Sequence, residues 1–198
     1  RICTGGANNI GNNIFDFTTH EHFHANPVAV DALPGGDCVD CRGLELVAGN
    51  QVYSVNINTG TMTVERELTT APAFQDGPVS IADYDLDGDV DAVITTTDED
   101  GSYVYIWDLQ TETMIANVHT ITDIDMSMLW YRSASNATIA DFDGDGKPEI
   151  GVCANFVFQV IEDYQSNIGG LGGVAWSLVT TDRSGMTGAT AFDFNADG

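Results

Sequence analysis

The stretch Asp141-Phe142-Asp143-Gly144-Asp145-Gly146-Lys147-Pro148-Glu149 places carboxylates at its first, third, fifth and ninth positions. Calcium takes about 6–8 oxygen ligands at roughly 2.3–2.6 Å, and alternate side chains of a curled loop, with one backbone carbonyl, can supply them. Gly146 allows the sharp turn, because glycine adopts positive φ without steric cost. Apolar residues follow directly, at 150–152. The stretch therefore predicts a calcium-binding loop that leads into a β-strand.

Similar stretches recur along the chain at nearly constant intervals. The residues from Asp83 to Asp91 repeat the pattern as Asp-Tyr-Asp-Leu-Asp-Gly-Asp-Val-Asp, and a partial copy starts at Asp193. A degraded copy starts at Asp31. The four opening aspartates are 52, 58 and 52 residues apart. This spacing is too regular for chance and too long for a helical-hairpin repeat.

Each interval contains short segments typical of β-strands. Residues 79–83, 92–96, 103–107 and 114–119 are rich in β-branched and aromatic side chains and are separated by turn residues. The other intervals predict strands at 44–48, 51–56, 62–67, 150–154, 156–161 and 174–180. No segment keeps an apolar period of 3.6, so we expect almost no helix. Four antiparallel strands in about 50 residues are typical of a β-propeller blade.

The sequence therefore predicts an all-β fold made of about three propeller blades. We expect the end of a preceding blade at 1–26, a blade with a degenerate loop at 27–78, blades with calcium loops at 79–136 and 137–188, and the start of another at 189–198. A blade cannot bury both of its faces alone, so neighbours must stack. Closed propellers usually hold about 4–8 blades. We therefore expect a longer protein or, less favoured, neighbouring chains to complete the ring.

The repeated loops supply the candidate calcium ligands. An acidic turn without metal is the alternative, but carboxylates this crowded repel one another unless a cation neutralises them. An EF-hand would need a bidentate Glu at its twelfth position, where Ile94 and Val152 stand. We predict no calcium at the first loop, which keeps only two of its acids. The candidate ligands are Asp83, Asp85, Asp87, Asp91 and the carbonyl of Asp89; Asp141, Asp143, Asp145, Glu149 and the carbonyl of Lys147; and Asp193, Asn195 and Asp197.

The charge of the chain excludes several kinds of partner. Thirty acidic residues stand against six basic ones among 198, a formal net charge of −24. Nucleic-acid binding requires a basic patch, and an anionic membrane surface repels such a chain. No stretch approaches the roughly 18–20 apolar residues of a membrane-spanning helix, so we expect no membrane insertion. The acidic excess is read partly as a solvated surface and partly as cation ligands.

The cysteines and histidines leave alternatives open. Cys38 and Cys41 form a C-x-x-C that could be a local disulfide, which is favoured, a metal site or two free thiols. Cys153 is expected in the core, and the partner of Cys3 is open. The alternating His20, His22 and His24 could bind a transition metal, but histidines on one face of an exposed strand are the favoured interpretation.

The large aromatic residues are expected mainly in the packing between blades. Trp107, Trp130 and Trp176 are interpreted in this way, with a carbohydrate-stacking platform as the minority alternative, for which Trp130 is the better candidate. The sequence contains neither a nucleophile elbow nor a phosphate-binding loop of the Walker type. We therefore find no catalytic constellation.

The residues 81–91 and 139–149 resemble FG-GAP/VCBS repeats, the blades of calcium-binding β-propellers of the integrin-α type. The resemblance covers nearly the whole chain and departs from the family pattern at the first loop. It implies a seven-bladed propeller, calcium in the loops that join the first two strands of each blade, and an extracellular or cell-surface location. In bacteria such repeats are typical of large secreted, often adhesive, multidomain proteins. The Cys38–Cys41 loop and the run Trp176–Gly198 resemble surface proteins of the Bacteroidota.

Three functions follow from these observations. The leading hypothesis is a non-enzymatic, calcium-stabilised propeller for adhesion or for binding a protein or carbohydrate ligand. The second is an accessory propeller domain of a secreted enzyme that acts on polysaccharides or lipids, which a polar pocket at the propeller axis would favour. The third is a structural subunit of a surface filament.

Overall fold

A computed structural model describes residues 26–33, 43–68, 77–97, 102–115, 119–121, 134–154, 156–162, 173–181 and 188–192. Every regular element in these ranges is a β-strand, which confirms the predicted all-β class. No helix in the described ranges could cross a membrane. Several residues of the sequence predictions lie outside them: Cys3, His20, His22, His24, Cys38, Cys41, Trp130, Asp193, Asn195 and Asp197.

The strands form three antiparallel sheets, and each sheet is built from consecutive strands of the chain. The first sheet contains β1 (Val28–Val30), β2 (Glu45–Ala48), β3 (Gln51–Asn56) and β4 (Thr61–Glu67). The second contains β5 (Val79–Ala82), β6 (Asp91–Thr97), β7 (Ser102–Asp108), β8 (Thr113–Met114) and β9 (His119–Ile121). The third contains β10 (Thr138–Ala140), β11 (Glu149–Ala154), β12 (Val157–Ile161) and β13 (Val174–Val179). None of the three sheets closes on itself.

The sequence predicts one strand at 114–119 in the second sheet, and the structure describes its two ends, β8 and β9, with 116–118 outside the described residues. β8 pairs with one end of β7, through Trp107 and Asp108, and β9 pairs with the other end, through residues 102–104. The turn before β8 is fixed by the Asp108 carboxylate, which accepts hydrogen bonds from the backbone N–H groups of Gln110 (2.8 Å) and Thr111 (2.9 Å). The two short strands therefore share one edge of β7.

The second sheet is buried on both faces because it lies between the other two. One face contributes Ile94, Tyr105 and Trp107 to a core shared with Val47 and Val52 of the first sheet. The opposite face contributes other residues of the same strands to a core shared with the third sheet, namely Val93, Val104 and Ile106. Side chains alternate between the two faces of a strand, so near-continuous apolar runs such as 103–107 serve both cores.

Hydroxyl groups near the first strands join neighbouring sheets. Ser80 Oγ donates to the carbonyl of Ala137 at 2.7 Å, which links the second sheet to the segment before β10. Thr138 Oγ1 donates in the same way to the carbonyl of Ala189, also at 2.7 Å. The segment 188–192 therefore lies beside the third sheet as the segment before β10 lies beside the second.

The two tryptophans in the described ranges differ in burial. Trp107 is fully buried between the first and second sheets, as predicted. Trp176 is 47% exposed, on the face of the third sheet that is turned away from the second. There its ring packs against Phe158, with 5.5 Å between ring centroids. The expectation that Trp176 is buried between sheets is therefore wrong for the described residues, because no further sheet covers this face there.

Candidate metal centres

Both acidic loops join the first two strands of a sheet, and the strand register closes them. Asp91 is the first residue of β6 and pairs with Ala82, the last residue of β5. Glu149 is the first residue of β11 and pairs with Ala140 in the same way. The ninth residue of each loop is thus held beside the first residue by the sheet. This geometry brings carboxylates that are eight positions apart into one cluster.

Backbone N–H groups of the third loop converge on its carboxylates. Asp141 accepts from the N–H groups of Gly144 (2.6 Å), Asp145 (3.1 Å) and Gly146 (2.9 Å). The carboxylate of Glu149 accepts from the N–H of Phe142 at 2.6 Å. These bonds hold the first and ninth side chains in the loop interior. Most of the loop is exposed, whereas Glu149 is buried.

The second loop has the same plan with fewer bonds. Asp91 accepts from the N–H of Tyr84 at 2.8 Å, and Asp83 accepts from the N–H of Gly88 at 3.1 Å. Asp85 accepts from the N–H of Asp87 at 3.2 Å. The N–H of residue two therefore bonds to the ninth carboxylate in both loops. The common bond shows that the two loops are structurally equivalent.

The carboxylate oxygens gather into two groups that could hold a metal ion. In the third loop, ligand atoms of Asp141, Asp143, Asp145 and Glu149 all lie within 4.8 Å of one another, so the structure brings together every predicted side-chain ligand. In the second loop the group contains Asp83, Asp85 and Asp91. Asp87 does not belong to this group, and its carboxylate accepts a bond from the N–H of Asp89 at 2.9 Å. The carbonyl ligands predicted at Asp89 and Lys147 stay predictions.

Burial of the ninth carboxylate perturbs its protonation. The pKa of Asp91 is raised from 3.8 to about 7, chiefly by desolvation and also by the nearby charges of Asp85 and Asp108, against the hydrogen bond from Tyr84. Burial also raises the pKa of Glu149, assisted by the three aspartates of its loop. The pKa of Asp85 is raised by burial and by Asp87. A cation would relieve these effects, because an adjacent positive charge favours the ionised form.

The donor set fits a hard divalent cation. Oδ1 of Asp83 is buried and has no hydrogen-bond partner in the described part of the chain, although Oδ2 of the same side chain is bonded. An unpaired buried carboxylate oxygen is costly unless a charge partner satisfies it. All donors of both groups are oxygens, and calcium accepts oxygen ligands in flexible arrangements. Soft transition metals would require nitrogen or sulfur donors that the described loops do not provide.

The first loop retains a closing carboxylate that sequence reasoning missed. Glu45 is buried, and its Oε2 accepts from the N–H groups of Ala32 (2.9 Å) and Leu33 (3.2 Å). It pairs with Val30 across β1 and β2, the register position that Asp91 and Glu149 occupy in their sheets. Glu45 stands fourteen positions after Asp31 instead of eight, so a fixed-spacing search passes over it. The sequence feature that could have identified Glu45 is an acidic residue at the start of the strand that follows the loop.

Positive φ angles fix the curl of both loops. Gly144 and Gly146 adopt φ values of 80° and 90°, and Gly88 adopts 102°. Leu86 occupies the position equivalent to Gly144 and also has a positive φ, 62°. A β-carbon is strained in this region, so the second loop carries a local cost that the third loop avoids.

No family model, curated protein or solved structure matches this chain.

Proposed function

We propose that this chain is part of a calcium-stabilised β-propeller that serves adhesion or ligand binding outside the cell and is not an enzyme. The observation that supports this proposal most strongly is the pair of equivalent carboxylate groups, each of which lies between the first and second strands of its sheet. The meander order of the three sheets, and the burial of the second between its neighbours, support the stacking of blades. The resemblance to FG-GAP/VCBS repeats supports the same assignment.

Calcium is the ion that the chemistry of these groups favours. Magnesium demands near-ideal octahedral geometry and keeps much of its water, so it suits fewer protein ligands than the four carboxylates of the third loop. Calcium accepts more ligands and tolerates irregular geometry. The three aspartates of the third-loop group are exposed to solvent. Extracellular calcium modules bind weakly, with dissociation constants of about 10⁻⁴–10⁻³ M. Such sites fill only where calcium is abundant, which supports a location outside the cell.

The ion has a structural role in this proposal. It neutralises carboxylates that otherwise repel one another and fixes the junction between two strands of a buried sheet. The ninth carboxylate already belongs to a β-strand and to the core of the structure. Calcium bound there stabilises the sheet directly, because a ligand that binds only the folded state adds to the free energy of unfolding.

Thermal unfolding of the whole chain with calcium, with magnesium and with EDTA tests the structural role. We expect calcium to raise the melting temperature and EDTA to lower it. Each filled site adds about 2.7 kcal/mol to the free energy of unfolding when the free ion is at a hundred times its dissociation constant. An identical melting temperature in calcium and in EDTA would contradict the proposal. Magnesium at the same concentration should have a smaller effect.

Variants that neutralise one loop carboxylate show which loop binds the calcium that raises the melting temperature. Asp83→Asn and Asp141→Asn should each remove one calcium site in a calorimetric titration and reduce the calcium-dependent rise in melting temperature. Glu67→Gln is the matched control, because it removes one charge from a strand outside the loops and keeps an acceptor for the amide of Gln51, now 3.1 Å away. Calcium binding that is unchanged in both loop variants would place the ion elsewhere.

The binding role requires a separate measurement. Immobilised chain should retain members of a panel of carbohydrates or extracellular proteins in calcium, and lose them in EDTA. A calcium-loaded, folded chain that retains neither class would refute adhesion and leave calcium stabilisation intact.

A further inference from the structure

The two acidic loops differ in charge at one position that supplies no side-chain ligand. The seventh residue is Asp89 in the second loop and Lys147 in the third, and the predicted ligand at this position is the backbone carbonyl. Over its nine residues the second loop holds five acids and no base, a formal charge of −5. The third loop holds four acids and one base, a formal charge of −3. The seventh residue accounts for the whole of this difference.

The ammonium group of Lys147 lies against a carboxylate of the third-loop group. Its Nζ is 3.5 Å from Oδ2 of Asp145, which belongs to that group. Oδ1 of Asp145 accepts a hydrogen bond from the N–H of Lys147 at 2.9 Å. Both side chains are partly exposed, so the ion pair adds little to the stability of the fold. Its consequence is local, because it sets a positive charge beside oxygen atoms that bind a cation.

The second loop has the same backbone bond without the positive charge. Oδ1 of Asp87, the fifth residue, accepts from the N–H of Asp89 at 2.9 Å. Asp89 is exposed, and Asp87 lies outside the second-loop group. The fifth carboxylate thus belongs to its group where the seventh residue is a lysine, and stands apart where it is an aspartate. This contrast follows the sign of the charges, because opposite charges attract and like charges repel.

We propose that the seventh residue sets the calcium affinity of its loop through its charge, with Asp89 strengthening binding in the second loop and Lys147 weakening it in the third. This role rests on the proposed function, because it presumes that the loops bind calcium. A fixed charge acts twice as strongly on a divalent ion as on a monovalent ion at the same distance. The affinity of a calcium loop depends on the charge and the rigidity of its site.

Lys147 also competes with calcium for a ligand. Asp145 binds calcium through the carboxylate that the ammonium group already contacts. The ion must therefore displace the lysine or share the carboxylate with it, and either event weakens binding. The second loop has no such competitor at its seventh position, where the side chain of Asp89 is itself an anion.

The number of gathered carboxylates differs between the loops in the opposite sense. The third-loop group contains four carboxylates and the second-loop group contains three. The affinities of the original loops therefore combine two effects. Exchanging the seventh residues separates them, because the exchange keeps the backbone carbonyl and removes no carboxylate ligand.

Calorimetric titration of the whole chain with calcium, in two single-site backgrounds, tests the proposal. Asp141→Asn leaves the second site, and Asp89→Lys in that background should weaken calcium binding by about tenfold. Asp83→Asn leaves the third site, and Lys147→Asp in that background should strengthen binding by about tenfold. Added salt should reduce both changes, because the seventh side chains are exposed or partly exposed and the Debye length is only about 8 Å at physiological ionic strength.

Glu67→Lys is the matched control, because it reverses one acidic charge on β4, outside the loops. It should change either affinity by less than about twofold, since screening weakens the effect of a remote exposed charge. The neutral variants Asp89→Asn and Lys147→Gln cover the case in which a charge reversal fails to fold. Each removes one charge instead of two, so each should change the affinity of its loop by about threefold.

Three outcomes overturn the proposal. The first is calcium binding that the exchanges at Asp89 and Lys147 leave unchanged or change in the opposite direction, which would leave the calcium sites themselves intact. The second is an equal effect of Glu67→Lys, because the net charge of the chain would then account for the changes. The third is an original chain that binds no calcium, which overturns the proposed function as well and is therefore distinguishable from the other two.

Discussion

The second and third loops have the same sequence plan and the same closing hydrogen bond but different surroundings. The residue after the opening aspartate is Tyr84 in the second loop, where it is 1% exposed in the core shared with the third sheet. The equivalent Phe142 is 37% exposed, although it is no less apolar. The difference arises because a further sheet covers the second sheet, whereas in the described residues none covers the third.

The comparison separates the features that the residues of a loop determine from the features that the neighbouring sheet determines. Both loops direct backbone N–H groups toward their carboxylates, so the curl of each loop forms from local sequence. Burial of the aromatic residue at position two, and part of the desolvation of the cage, depends on the next sheet. A change at an equivalent position should therefore have unequal effects in the two loops.

The largest expected difference concerns the aromatic residue at position two. Tyr84→Ala should lower the free energy of unfolding by about 3–5 kcal/mol, because it removes a fully buried ring and leaves a cavity. Phe142→Ala should cost less than half as much, because its ring is already partly in water. Urea unfolding followed by circular dichroism measures both. Equal losses would show that Phe142 is covered in solution.

The next prediction concerns Asp91, the ninth carboxylate of the second loop, and how it makes the stability of the chain depend on pH. A raised folded-state pKa means that the folded chain binds the proton more tightly, so this contribution to stability is complete below pH 3.8 and is lost as pH rises through about 7. In EDTA, Asp91→Asn should therefore match the original chain near pH 4 and be more stable near pH 8. In calcium the order should reverse at pH 8, because the ion requires the ionised carboxylate.

Glu149→Gln provides the matched measurement in the third loop. Its pKa is raised by the same cause, so the sign of each difference in melting temperature should be the same. If Asp91→Asn lowers the melting temperature in EDTA at pH 8, the buried carboxylate is not a destabilising charge, and this account of the loop is wrong.

The smallest effect concerns the position that Leu86 and Gly144 share. Leu86→Gly should stabilise the second loop by about 0.5–1 kcal/mol, because it removes a left-handed strain of about 1–2 kcal/mol at the entropic cost of a glycine. Gly144→Leu should destabilise the third loop by a similar amount. A β-carbon at Gly144 would meet no atom within 4 Å, so its cost comes from the backbone alone. Two thermal unfolding curves in calcium, compared with that of the original chain, decide this.

Much of the fold could be predicted from the sequence because its strands are marked by local pattern. The strands predicted at 51–56 and 150–154 lie within two residues of β3 and β11. The register of the fourth strand in the second sheet could not be predicted: Trp107 pairs with Met114 but Val104 pairs with His119, an offset of two residues that the strand pattern does not contain.

The candidate sites were predictable where spacing is regular and not where the loop is longer. Asp141, Asp143, Asp145 and Glu149 gather as their spacing indicates. Asp87 shares that spacing in the second loop but lies outside the group there. Glu45 was missed because only the pairing of β1 with β2 shows that it takes the position of Asp91 and Glu149.

The sequence by itself determined the strands, the acidic loops and the interval between them, because each depends on residues close together in the chain. The tertiary structure decided which carboxylates share one cluster. The ninth residue of a loop lies beside the first only when the first two strands of the sheet pair in the observed register. It also decided that Tyr84 and Trp107 are buried while Phe142 and Trp176 are exposed. Burial depends on which sheet lies against which, and local sequence does not contain that information.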